Sequence, residues 1–140
     1  MTKKIKKGSV QQDTLIKKTA VKDPLITFSF RFFDPTDGTL CPGIFKDGYT
    51  QTLMQRLRAL SEWTLQDFYG PPGQNIRAHT HTWSETARPD GFARLLNEEL
   101  RASPGWQFSI SANKYGRVHG IMIDSTFYII WLDQNHALYP

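Results

Sequence analysis

The chain has one cysteine, Cys41, in 140 residues. A single thiol allows no disulfide within the chain and no cysteine-based zinc framework. No apolar run approaches the roughly 18 residues that a membrane helix needs. The lysines near the N-terminus are not followed by an apolar stretch, so this start does not read as a secretory signal. There is no phosphate-binding glycine-rich loop, because Gly70-Pro-Pro-Gly73 is a turn. There is no Gly-x-Ser-x-Gly, and Cys41 sits beside Pro42 with no base next to it. Acidic residues are scattered, which disfavours a two-metal nuclease. The default expectation is a cytoplasmic protein, with no cofactor, metal or membrane partner assigned.

Hydrophobic residues make up 39% of the chain and aromatics 13%, enough to bury a core in one domain of ordinary size. Charge is unevenly placed. Residues 1–24 carry seven lysines against two aspartates, a net +5, whereas residues 25–140 carry ten Lys and Arg against eleven Asp and Glu, a net −1. The basic character therefore belongs to a lysine-rich arm, 1–24, that precedes a single domain, 25–140. Such an arm attracts polyanions at long range, and Lys3, Lys4, Lys6, Lys7, Lys17 and Lys18 are its candidate RNA contacts. Within the domain eight of the ten basic residues are arginines, the side chain suited to fixed, planar phosphate contacts.

Periodicity predicts an α+β order. Residues 25–33 read as a strand with Phe28, Phe30 and Phe32 on one face, stopped by the turn cluster 34–38. A helix over 49–63 follows from Leu53, Leu57 and Leu60. Thr64-Leu-Gln-Asp67 reads as a capping box opening a second short helix. Residues 74–89 show no period and read as a long loop. Asp90 can cap a third helix with Phe92, Leu95, Leu96 and Leu100 on one face. Residues 106–111 alternate as a half-buried strand, and 117–124 and 126–133 read as two more strands around Asp124-Ser125. The last strand is apolar on both faces, which places it inside the sheet. The expectation is an N-terminal strand, two to three helices, then a three-stranded antiparallel meander with helices on one face.

This order resembles the RelE/YoeB-like bacterial toxins, small ribonucleases with a barnase- and colicin-like fold. The stretch that carries the resemblance is 106–139: Trp-x-Phe-Ser-Ile, Gly-Arg-Val-His-Gly-Ile-Met-Ile, Phe-Tyr-Ile-Ile-Trp-Leu, and the ending His136-Ala-Leu-Tyr139. Arg117 occupies the place of the arginine that starts the penultimate strand in such toxins. The ending departs from their adjacent His-Tyr by two residues, and the acidic base that usually precedes the meander in such toxins has no assigned counterpart here. The resemblance implies cleavage of RNA on the ribosome by metal-independent acid–base chemistry, in a toxin–antitoxin or defence system with an antitoxin partner. The alternative is a non-catalytic module on the same sheet that binds nucleic acid or protein.

RNA cleavage needs a base for the 2′-hydroxyl, an acid for the leaving oxygen and a cation for the phosphorane. The candidates are Arg117, His119, His136 and Tyr139. Arg117 and His119 are two apart on a strand and share a face. Antiparallel pairing of the last two strands puts Arg117 beside Leu132 or Asp133, where the tail can fold back over it. A second cluster, Arg77-Ala-His79-Thr-His81, is a candidate RNA contact. Its His-x-His could also bind zinc with His119 or Glu85, a weak signal on its own.

Overall fold

The computed structural model describes residues 24–70, 76–112 and 114–140. The six lysines singled out in the arm lie outside the described residues. No helix among those described is long and apolar enough to cross a membrane.

The last strand organises the sheet. Thr126–Asp133 carries Phe127, Ile129, Ile130 and Trp131, all fully buried, so it must be covered on both faces and flanked on both edges. It pairs antiparallel with Arg117–Ile123 and parallel with a short strand, Thr27–Ser29. Numbered along the chain, the strands are β1 (Thr27–Ser29), β2 (His79–Thr80), β3 (Gly105–Ser109), β4 (Arg117–Ile123) and β5 (Thr126–Asp133). Their spatial order is β1-β5-β4-β3-β2. The expected meander is therefore the centre of a five-stranded mixed sheet rather than the whole of it. Both additions come from segments with little local signal. The parallel pairing of β1 is decided at long range, and β2 has two residues recruited by β3.

The register between β4 and β5 contains one bulge. His119 opposes Trp131 and Gly120 opposes Ile129, which leaves Ile130 without a partner across the pair. The Ile130 carbonyl turns instead to the Asp34 amide, 3.0 Å away, and so ties β5 to the loop after β1.

Three helices are described: α1 (Tyr49–Leu60), α2 (Leu65–Phe68) and α3 (Glu98–Arg101). Tyr49, Leu53, Leu57 and Leu60 form the buried stripe of α1, which stops short of Trp63. Ser61 caps its end, and the chain then turns so that Trp63 accepts from the Ile26 amide. The Thr64–Asp67 capping box forms in both directions and starts α2. Its Phe68 ring packs on Phe108 and Phe127, on the face of β3 that also carries Trp106. The helix expected from Asp90 does not form. Gly91 takes φ 59°, outside the helical region, and helix resumes only at Asn97, whose side chain caps α3. The expected phenylalanine row also breaks: β1 ends at Ser29, and Phe30 is 52% exposed.

Candidate functional site

On β3, Trp106 and Phe108 face α2, so Gly105, Gln107 and Ser109 face the other way. Gln107 lies in register with His119 on β4 and with His79 on β2, and Ser109 with Arg117. Arg117 in turn lies opposite Asp133. The antiparallel pairing thus builds a polar patch at one end of the sheet, the end where the C-terminal tail leaves β5.

Two glycines make room for it. Gly116 has φ 74°, and a Cβ there would lie 1.9 Å from the Asp133 carbonyl oxygen, so only glycine lets the turn close against the end of β5. At Gly105 a Cβ would come within 2.4 Å of the Trp83 ring, which covers that end of β3. The tail is wound around one carboxylate. Asp133 accepts from the Ala137 amide at 2.8 Å and the Leu138 amide at 3.0 Å. Leu138 is fully buried, and its carbonyl accepts from Ala87.

The result is a cleft of about 160 Å³ lined by His79, Gln107, Arg117, His119, Asp133, His136 and Tyr139. The structure therefore brings together Arg117, His119, His136 and Tyr139, and adds His79 from the second cluster. His81 lies directly behind them. Two further lining residues, Gln107 and Asp133, carry no motif. The register that put Arg117 beside Asp133 was a signal for the second. The first was masked because alternation reads it as an ordinary outward-facing polar residue.

Hydrogen bonds run from Tyr139 to Asp133, each donor facing toward the carboxylate. His119 Nε2 lies 2.9 Å from Asp133 Oδ2. A carboxylate accepts, so this nitrogen carries the proton, and the neutral ring then accepts at Nδ1. His81 Nε2 lies 3.1 Å from that Nδ1 and donates to it. His81 Nδ1 accepts in turn from the Tyr139 hydroxyl at 2.9 Å. The chain is Tyr139 to His81 to His119 to Asp133, and it commits both nitrogens of both rings.

Electrostatics hold this arrangement. Burial pushes the Asp133 carboxyl up, but the His119 hydrogen bond and the two tail amides outweigh it and hold it below the usual carboxylate range. Burial, followed by the neighbouring His119 and His79, pushes His81 down to about 3. His119, with no exposed surface, is likewise pushed down by burial against the pull of Asp133. Both rings are neutral at physiological pH. His119 thus lines the cleft with both nitrogens already hydrogen-bonded, and Tyr139 gives its proton to His81 rather than to the cleft.

The cation side is different. Burial, then repulsion from Arg77, lowers the Arg117 guanidinium, with Asp133 opposing. Arg77 is brought near because the preceding residue, Ile76, accepts from the Ser109 amide. No grouping of three or more His, Cys, Asp or Glu side chains among the described residues is arranged to hold a metal ion. Two aspartates outside the cleft are structural: Asp37 receives Arg88 at 2.8 and 3.0 Å, and Asp34 receives the Trp131 indole at 2.9 Å.

No protein-family model, no curated protein and no solved structure matches this chain.

Proposed function

We propose that the cleft binds and cleaves RNA by acid–base chemistry, as a RelE/YoeB-like ribonuclease. The observation that carries this is the convergence of Arg117, His136 and Tyr139 in one cleft, with Arg77 close enough to repel Arg117. Two guanidiniums that repel each other gain by taking an anion between them, and a bridging phosphate has the planar, multidentate chemistry they suit. In this role Arg117 holds the scissile phosphate, Arg77 shares its charge, and His136 takes the proton of the 2′-hydroxyl as it attacks phosphorus and delivers it to the leaving 5′-oxygen. His119 acts through His81 and keeps Tyr139 in place. Lys3, Lys4, Lys6, Lys7, Lys17 and Lys18 supply diffuse attraction to the RNA. Action on the ribosome and restraint by an antitoxin extend the same proposal.

A second function has one observation in its favour: the ring nitrogens of His81 and His119 are spent on each other, on Asp133 and on Tyr139. A module that binds RNA without cutting it needs no more than Arg117 and the arm. Induced expression in a bacterial host separates the two. The proposal expects growth arrest and RNA cleavage with the wild type, and neither with Arg117→Ala or His136→Ala at equal abundance. RNA bound but uncut by the wild type establishes the module instead.

A further inference from the structure

Gln107 is 5% exposed, lines the cleft and has one unsatisfied atom. Its Nε2 lies 2.8 Å from His79 Nε2, and His79 Nδ1 lies 2.9 Å from the Thr80 carbonyl. A carbonyl only accepts, so Nδ1 of His79 carries a hydrogen, and its Nε2 faces the Gln107 amide nitrogen as an acceptor. Gln107 must then donate from its amide nitrogen, which fixes the orientation of the whole carboxamide. The other end, Oε1, is buried and has no hydrogen-bond partner. A buried acceptor left unpaired costs stability, and such groups are rare enough to call for a reason.

The polarity of the surroundings narrows what can satisfy it. Tyr139 spends its hydrogen on His81 and offers only a lone pair. His119 and Asp133 are committed to each other. Beside these acceptors stands the Arg117 guanidinium, one strand away and two residues along, a diagonal spacing of about 7–8 Å between backbones on one sheet face. A ligand that fits must carry an anion and, a few ångströms from it, a hydrogen-bond donor. A ribonucleotide has this pair in its 3′-phosphate and 2′-hydroxyl, and a deoxyribonucleotide lacks the donor.

Resting on the RNA-binding function proposed above, we propose that Gln107 Oε1 accepts the 2′-hydroxyl of the nucleotide whose 3′-phosphate Arg117 holds. Gln107 is thereby the residue that selects ribose over deoxyribose. His79 is its positioning residue, because it holds the amide nitrogen and so fixes which end of the carboxamide is the oxygen.

Titration of the full-length protein with uridine 3′-phosphate, its 2′-deoxy analogue and its 2′-fluoro analogue tests this by calorimetry. Fluorine has no proton to donate, so the fluoro compound separates a need for a donor from a need for bulk. The wild type is expected to bind the ribonucleotide about tenfold more tightly than either analogue, the scale of one well-made hydrogen bond. In Gln107→Leu all three should fall within about twofold of one another, with the deoxy affinity unchanged. Equal wild-type affinities, a fluoro analogue that binds like the ribonucleotide, or a Gln107→Leu protein that keeps the preference each overturns the proposal. The wild-type series needs no variant and decides the matter even if Gln107→Leu fails to fold. Binding that depends on Arg117 but ignores the sugar removes only the role of Gln107. Absence of binding by all three removes the RNA function of the cleft and the role of Gln107 with it.

Discussion

Single residues in this site are held by neighbours that leave them little freedom, and two consequences can be measured. His81 is pushed down to about 3 from an ordinary 6.5, so the unfolded chain binds a proton there that the folded chain refuses. The stability this contributes is complete above about pH 6.5 and is lost as pH falls below it. Asp133 works in the same direction lower down, since its depressed carboxyl loses its contribution as pH falls through the acid range. Melting temperature should be flat near neutrality and decline from pH 6.5 to 4, with a shallower decline in His81→Gln. A protein that becomes more stable on acidification would show that the buried rings carry protons. At Gly116 the prediction is steric. Gly116→Ala places a methyl against the Asp133 carbonyl and a side chain at φ 74°, so its urea midpoint should fall by the equivalent of more than about 1 kcal/mol. An unchanged midpoint would mean that the turn can relax away from β5.

At the scale of elements, β5 is the member on which the others are built. Ile130 sits at its bulge, fully buried, and Ile130→Ala should cost roughly 2–5 kcal/mol in urea denaturation, the range for emptying a buried aliphatic site. A negligible cost would place that side chain outside the core. The β4–β5 hairpin was legible in the sequence, with Thr126–Asp133 bounded as expected, because an apolar run ends on either side in turn residues. From that hairpin alone Arg117 had to lie beside Leu132 or Asp133, and it lies opposite Asp133. Elements that depend on distant partners were not legible. The parallel pairing of β1 joins Thr27 to Thr126, and no local pattern encodes it. β2 has two residues, too few for any period, yet it delivers His79 to the cleft. The apolar spacing after Asp90 imitates a helix, but Gly91 breaks it and the side chains serve other contacts: Phe92 packs on Trp83 and Trp131. Gln107 and Asp133 were hidden for a similar reason, since their importance lies in what the tail and β2 bring to them.

For the molecule as a whole, the positive charge and the sheet lie in different parts of the sequence. Residues 25–140 carry a net −1, with Arg117 at one end of the sheet, while the positive excess lies in residues 1–24. Replacing Lys3, Lys4, Lys6, Lys7, Lys17 and Lys18 with serine should weaken RNA binding at low salt and flatten its salt dependence. Filter binding across a salt series reads this directly, and an unchanged slope would remove the arm from the interface. The preference for ribose should survive that change, because it resides in the cleft. The most direct measurement is cleavage of a defined RNA oligonucleotide by purified protein in the presence of a chelator, with the new ends identified by mass. The wild type should yield fragments ending in 2′,3′-cyclic or 3′-phosphate, and Arg117→Ala and His136→Ala should each lower the rate at least about a hundredfold, the low end of what one charge-stabilising or one acid–base group contributes. An intact oligonucleotide with the wild type, or cutting that continues at the wild-type rate in both variants, would contradict the assignment of this cleft to RNA cleavage.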